Sequence, residues 1–342
     1  MGYIEVLTPG MLTTVQDQGR LGHQQSGVCV SGVMDSFAHR VANILCGNAD
    51  QNEAVLEVSM TGPTLKFHGS AYIAITGADL SPAIDGTPVK TWQSAVIKRG
   101  ETLSFREIVA GAHAYIAIFG GLDIPALMGS KSTSVKAKIG GFGGRALQKG
   151  DKIPYKTTGV SGKQRLQLPQ PYIPVYERES TLRAVLGPQD DAFTQEGIET
   201  FLSASYKVTN QVDRMGYRLE GRPIIHKDSG DIISDGTAMG TVQVPGQGQP
   251  IILMADRQTT GGYAKIATVI SADLYKVAQA KPGDILRFSA ISIEQAQEIY
   301  RDWQRRFKLI ADSLLPVDKD KAVMHYNVYI NGKAYPVTIR ET

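Results

Sequence analysis

One short pattern recurs along this chain and constrains its fold more than any other feature. Arg99-Gly100-Glu101-Thr102-Leu103-Ser104-Phe105 matches Pro282-Gly283-Asp284-Ile285-Leu286-Arg287-Phe288, and Lys149-Gly150-Asp151-Lys152-Ile153 is a shorter echo. Each joins a turn glycine, an acid and an alternating apolar tail, the signature of a turn that feeds a strand. The two longer copies each close a strand-rich stretch that has a capped helix near its beginning. The pattern therefore predicts two related β-barrel-like units, residues 1–157 and 181–290. A Pro/Tyr/Gln-rich linker without periodicity, 158–180, separates them, and 291–342 forms a helix-and-hairpin extension. The expected class is mainly β, with a few helices.

Local signals agree. Ala71-Tyr72-Ile73-Ala74-Ile75-Thr76, Ala114-Tyr115-Ile116-Ala117-Ile118 and Ala267-Thr268-Val269-Ile270 read as buried strands, and Asp85-Gly86 as a hairpin turn. Asp35 is placed to cap a helix with Phe37, Val41, Ile44 and Leu45 on one face, ended by Gly47. A second helix is expected to begin at Asp190 or Asp191, carrying Phe193, Ile198, Phe201 and Leu202. The longest begins with the capping-box pattern Ser292-Ile293-Glu294-Gln295. Its apolar seam is Ala296, Tyr300, Trp303, Phe307, Ile310 and Leu314, which fits either packing on its own unit or a partner-binding face. Asn331-Gly332 signals a type I′ hairpin in the tail.

At 342 residues, with 42% hydrophobic and 20% charged residues, the chain can bury two cores. A formal charge of +3 gives no reason to propose a nucleic-acid or membrane-surface partner. Cys29 and Cys46 are too few for a disulfide framework and read as buried thiols. The start lacks a signal-peptide pattern, and apolar runs such as Ile251-Ile252-Leu253-Met254-Ala255 are too short to span a bilayer. A cytoplasmic location is expected.

No Walker loop, His-Glu-x-x-His, Gly-x-Ser-x-Gly or Cys-x-x-Cys occurs, and the histidines are scattered, so no metal site is expected. Four dense polar-glycine segments remain. Val15-Gln16-Asp17-Gln18-Gly19-Arg20 with Ser31-Gly32-Val33-Met34-Asp35 is either a functional loop or a turn leading into a capped helix. Gly140-Gly141-Phe142-Gly143-Gly144-Arg145 is either a mobile loop or a nest, with Gly141, Gly143, Gly144 and Arg145 as phosphate-binding candidates. Asp213-Arg214-Met215-Gly216-Tyr217-Arg218 offers Arg214 and Arg218 as an anion clamp, or else surface ion pairs. The richest segment couples Ser234-Asp235-Gly236-Thr237-Ala238-Met239-Gly240 and Gln243-Val244-Pro245 with Ala255-Asp256-Arg257-Gln258-Thr259-Thr260-Gly261-Gly262-Tyr263. Arginine can pair with a carboxylate, Gln and Thr can donate to a carbonyl, and glycines let backbone approach a ligand, as an amide-recognising site requires.

These same runs carry a family resemblance. Val15 to Asn48, Asp213 to Gly221, Ser234 to Pro250 and Ala255 to Ala267 resemble the allophanate hydrolase subunit 2 family, also called carboxyltransferase domain subdomain A/B. The resemblance covers about 3–290 and departs where Met239 and Ala264 stand in place of expected prolines. It implies cyclophilin-like β-barrels. It also implies a subunit of an ATP-dependent enzyme that opens 5-oxoproline to L-glutamate, acting with a cyclophilin-like subunit and a further hydrolase subunit and inactive alone.

An unstrained lactam is a poor electrophile, so such a site must stabilise a phosphoryl group and an oxyanion. Asp256, Arg257 and Asp235 are the catalytic candidates. Arg214, Arg218, Gln258, Thr259, Thr260, Gly261, Gly262 and Tyr263 are candidates for binding substrate. A second reading is biotin-dependent carboxyl transfer to urea or a related amide. The tail Val328 to Val337 resembles the opening strands of a biotin carrier, but no Met-Lys-Met site is present. A third is a non-enzymatic antagonist of a sensor-kinase inhibitor.

Overall fold

The computed structural model describes residues 2–156, 162–317, 324–330 and 333–339. Its recurring element is the turn that the sequence repeats. Gly100, Gly150 and Gly283 all adopt positive φ, 94°, 89° and 96°. In each copy the acid's backbone N–H closes a turn onto the residue three before it, at 3.0–3.1 Å. The acid's carboxylate then accepts that residue's N–H: Glu101 from Lys98 at 2.7 Å, Asp151 from Gln148 at 2.8 Å and Asp284 from Lys281 at 2.8 Å. One residue of an adjacent segment (Phe67, Val6 or Val208) donates to the acid's carbonyl and accepts from the glycine's N–H. The shorter echo is thus the same device as the two longer ones. The turn thereby pairs the acid's N–H and C=O and the glycine's N–H as it enters the sheet.

In the first half two sheets stack. One runs Lys152–Tyr155, Gly2–Thr8, Thr64–Phe67, Thr102–Ser104, Ala83–Ile84, Thr87–Pro88. The other runs Leu12–Gln16, Val55–Ser59, Ala110–Ile118, Ala71–Asp79, Gln93–Ile97, Leu166–Gln167, Leu315–Pro316. The Ala71–Asp79 strand explains its unbroken apolar run. Ile73 and Ile75 face the first sheet with Ile4, Val6 and Phe67, while Tyr72 and Ala74 face the opposite way. Period-2 alternation with both faces covered leaves no polar side. Asp85 and Gly86, at φ 45° and 83°, make the expected primed turn.

Helix α1 (Ser36–Cys46) covers the second face, with Asp35 accepting from Ala38 N and Gly47 ending it at φ 74°. Helices α2 (Gln195–Ser203), α3 (Leu274–Gln279) and α4 (Ile293–Ser313) follow. α2 begins later than the acids suggested. Asp190–Ala192 form a separate 3-10 turn, Phe193 is extended, and Thr194 is the cap, accepting from Gly197 N. The expected box at Ser292 and Gln295 is complete. Among the described residues no helix is long and apolar enough to cross a membrane.

The second half is a closed seven-stranded barrel. Its order is Glu179–Leu186, Lys265–Val269, Thr241–Gln243, Ile251–Leu253, Gly216–Glu220, Tyr206–Val212, Ile285–Ala290. It closes by a parallel pairing of the last strand on the first, which leaves no free edge. A separate two-stranded antiparallel ribbon, Asp231–Gly236 with Thr260–Tyr263, lies outside the barrel order.

The segment read as a linker is packed. Gln167 pairs with Gln93, and Leu168, Tyr172, Ile173 and Tyr176 lie against the core under α1. Met34, before α1, is 1% exposed within the core of the second-half barrel. Phe307 and Ile310 of α4 pack on the α1 core, so the outcome for α4's seam is an intramolecular contact over its C-terminal half. The tail strands Met324–Ile330 and Lys333–Ile339 pair with Ile330 opposite Lys333, and the Asn331-Gly332 tip lies outside the described residues.

Candidate functional site

The sequence candidates separate into three places. The first is a buried ion cluster at the seam of the two halves. Arg214, in the turn before Gly216–Glu220, grips Asp256 with two donors, Nε to Oδ2 at 3.0 Å and Nη2 to Oδ1 at 3.2 Å. It also donates to Glu57 and to the Gly32 carbonyl. Glu57 takes a further 2.7 Å bond from Met34 N. Burial alone would lower the Arg214 pKa, but Glu57 and Asp256 outweigh it and raise it.

Beside this cluster, Gln279 of α3 accepts from Ala112 N and His113 N and donates to Asp35 Oδ2 at 2.9 Å. Arg214 and Asp256, proposed from sequence as anion clamp and catalytic acid, are thus consumed in joining the halves. Glu57 is absent from the sequence candidates. Its signal is an acid inside the otherwise apolar strand Val55–Ser59.

The second place is a cleft of about 290 Å³ on the outside of the barrel. Tyr217 and Leu219 point into the core, so Arg218 between them points out, and it enters no ion pair among the described residues. Opposite, Gln258 Nε2 donates to Gln243 Oε1 at 3.3 Å, and Gln243 Nε2 to the Tyr263 carbonyl at 3.4 Å. Gln243, Gln258, Arg218 and Tyr263 all line the cleft. Both bonds are long, and of the two amides Gln258 is partly exposed whereas Gln243 is 1% exposed.

A Cβ on Gly261 would meet Gln243 Nε2 at 2.4 Å, so any larger residue there would displace that amide. Thr259, Thr260 and Gly262 belong to the ribbon segment beside the cleft, where Thr237 N donates to the Thr259 carbonyl at 3.1 Å. Asp235 sits away from it, on the ribbon's exposed side. It pairs with the buried Lys265 Nζ at 3.0 Å, which holds its carboxyl below the usual range.

The third place is a cavity of about 370 Å³ between the halves. It collects Gln18, Ser31 and Ser36 from the first polar-glycine segment and α1, together with Arg257 from the fourth segment. Its position in the chain beside Gln258 suggests that Arg257 is a surface residue of the same site. It is instead 7% exposed, turned away from the cleft, and burial lowers its pKa. Both residues lie in the irregular segment between the strands Ile251–Leu253 and Thr260–Tyr263, where Arg257 lines the cavity between the halves and Gln258 the outer cleft.

The remaining candidates are structural in this arrangement. Arg145 is tied to Asp151 by two bonds of 2.7 and 2.8 Å. Gly141 N and Gly144 N donate to the Lys131 and Gly140 carbonyls. A Cβ on Gly141 would lie 1.8 Å from Thr133 Oγ1, so close packing accounts for that glycine. Asp17 is held below the usual carboxylate range: burial pushes it up, and bonds from Ser132, Ser130, Gly19 and Lys131 outweigh that. Among the described residues no group of three or more His, Cys, Asp or Glu could hold a metal ion.

Comparison with known proteins places this geometry. The family profile "Carboxyltransferase domain, subdomain A and B" matches residues 26–290. The chain is 37% identical to a 5-oxoprolinase subunit of Escherichia coli over 308 residues, 90% of this chain and 97% of that protein. It is 35% identical to urea amidolyase of Saccharomyces cerevisiae, covering 86% of this chain but 17% of that protein. The crystal structure of Kluyveromyces lactis urea amidolyase superposes with a TM-score of 0.84 at 28% identity, over 99% of this chain and 22% of that one. From the matched motifs, the barrel and the extent of these similarities, the chain belongs to the carboxyltransferase domain subdomain A and B family.

Proposed function

We propose that this chain is a subunit of an ATP-dependent 5-oxoprolinase, opening 5-oxoproline to L-glutamate with a cyclophilin-like subunit and a further hydrolase subunit. The observation that carries it is the outer cleft, where Arg218, in no ion pair among the described residues, shares the lining with two side-chain amides. 5-Oxoproline presents a carboxylate and one lactam amide. Arg218 suits the carboxylate, and Gln258 and Gln243 suit the lactam's C=O and N–H. An amide-lined site rejects ligands that leave its buried polar groups unpaired, which gives it selectivity.

Transfer of the γ-phosphoryl of ATP to the lactam oxygen activates the ring carbon. Water addition then breaks the C–N bond, and hydrolysis of the resulting acyl phosphate releases glutamate and phosphate. Donors aimed at that oxygen act as an oxyanion stabiliser, a role open to Gln258 and Thr259. The similarity to the Escherichia coli 5-oxoprolinase subunit, which extends over 97% of that protein, supports this reading.

A second reading, carboxyl transfer from a carrier's biotin to urea or a related amide, is favoured by the urea amidolyase likeness. The test is co-expression with its candidate partner subunits and an assay for glutamate formed from 5-oxoproline. Glutamate formation that needs ATP, needs the partners and ignores avidin supports the proposal. Avidin-sensitive consumption of urea, with 5-oxoproline inert, overturns it.

A further inference from the structure

The cavity between the halves has a composition that the amide chemistry does not use. Its walls carry Arg40 and Arg257 and three serines, Ser31, Ser36 and Ser271, and no Asp or Glu lines it. Neither arginine is in an ion pair among the described residues. Arg257 donates to the Thr237 and Met254 carbonyls at 3.4 and 3.3 Å. Arg40 donates to the neutral Gln304 and Gln51 side chains at 2.7 and 3.0 Å and lies 3.5 Å over the Phe307 ring. Two partly or largely buried cations therefore face one cavity, and among the described residues its lining brings no carboxylate to them.

Independent of these cations, the Ser31 hydroxyl is buried and has no hydrogen-bond partner among the described residues. Ser31 is also held at φ 56°, a region that a serine rarely adopts. Ser36 occupies the first position of α1, an 11-residue helix whose start favours negative charge. Asp35, the N-cap of α1, is absent from the cavity lining. Its oxygens are engaged by Ala38 N and Gln279.

Cations approaching from separate elements and hydroxyl donors between them suit a tetrahedral, many-oxygen anion better than one planar carboxylate. The opposite wall is the Tyr300–Trp303 pair, stacked at 5.9 Å, with Tyr300 45% exposed.

We infer that this cavity binds a phosphoryl group, carried by a nucleotide or present as free phosphate, between Arg257, Arg40 and the start of α1. Its ligand class rests on the ATP-coupled reading above. Binding is therefore measured without turnover, so that the two can fail separately.

Calorimetric titration of ATP, ADP, inorganic phosphate and 5-oxoproline into the full chain, alone and assembled with its partners, is the test. Variants Arg257→Gln and Ser36→Asp are each expected to weaken phosphoryl binding at least tenfold. Ser36→Asp is the control for folding, because an acid at a helix start is favourable and its melting should not fall. If Tyr300→Ala weakens ATP but not phosphate, the source is a nucleotide. If ATP binds no tighter than phosphate and Tyr300→Ala changes neither, it is the free anion. No phosphoryl binding by the assembled protein overturns the inference. So does binding that Ser36→Asp leaves within twofold, or binding of 5-oxoproline alone that Ser36→Asp weakens. Phosphoryl binding at this cavity with no 5-oxoproline cleavage by the assembled enzyme overturns the proposed function and leaves the site standing.

Discussion

Arg214 shows how one residue's surroundings redirect its role. With Glu57 and Asp256 it forms a buried triad with 6%, 1% and 9% side-chain exposure. Arg214→Met leaves two buried carboxylates facing each other, so urea unfolding should show a loss of about 3–5 kcal/mol. A loss under about 1 kcal/mol would mean that the seam does not depend on this cluster. Arg218 has the opposite surroundings. Because it is exposed, Arg218→Ala should move stability by no more than about 0.5 kcal/mol.

Under the proposed function Arg218 holds the substrate carboxylate in ground and transition state alike, so Arg218→Ala should raise KM roughly tenfold with kcat nearly unchanged. Under the same proposal Gln258 donates to the oxygen that gains charge, so Gln258→Ala should instead lower kcat by about a hundredfold. Steady-state kinetics of the assembled enzyme separates the two patterns, and equal KM effects from both would remove Gln258 from the chemistry.

Asp35 carries a pH signature. Burial raises its pKa to about 6, against about 3.9 when unfolded. The folded state then holds the extra proton between those values, so the contribution of Asp35 to stability is fullest below pH 4. It is lost as pH rises to about 6, by on the order of 3 kcal/mol. Asp35→Asn lacks this titration. Its melting relative to the parent should therefore improve from pH 4 to 6 and then stay level, and a flat difference would contradict the assignment.

Among elements, the repeated turn gives a graded test. Glu101, Asp151 and Asp284 make the same bond, but Asp284 is buried, Asp151 also holds Arg145, and Glu101 stands alone and more exposed. Alanine at 101 should cost about 0.5–1 kcal/mol, and at 151 and 284 about 1–3 kcal/mol. Denaturant titration of the three variants checks the order, and a Glu101→Ala loss equal to the others would deny the added contacts any weight. α4 shows where pattern reading is ambiguous. Its seam is continuous in sequence, yet only Phe307 and Ile310 are buried while Tyr300 is 45% exposed. A heptad-like stripe records amphipathicity and cannot say how much of the stripe finds a surface.

At the scale of the molecule the halves are interlocked. Met34 from the first half completes the barrel core, and α4 from the end of the chain completes the α1 core. A fragment of 179–342 should therefore fail to fold, since it exposes the Met34 site and strands Arg214 and Asp256 without Glu57. Dispersed amide proton signals from that fragment would refute this, whereas co-expression with 1–178 should restore structure.

The sequence by itself determined the repeated turn, the strands it feeds, the caps of α1 and α4 and the amide-bearing segments. Each depends on spacing within a few residues, where backbone conformation and period-2 or helical periodicity act. Even there a local signal can mislead: two acids before Phe193 imitated a cap, and Thr194 supplied it. Only the tertiary structure decided which polar residues meet. Arg257 and Gln258 are neighbours in the chain, yet they line different cavities. Arg214 and Glu57 are 157 positions apart, yet they share one bond. Charge pairing in a low-dielectric seam is set by proximity in space, and proximity between distant strands is fixed by how the two halves pack, which no local pattern encodes.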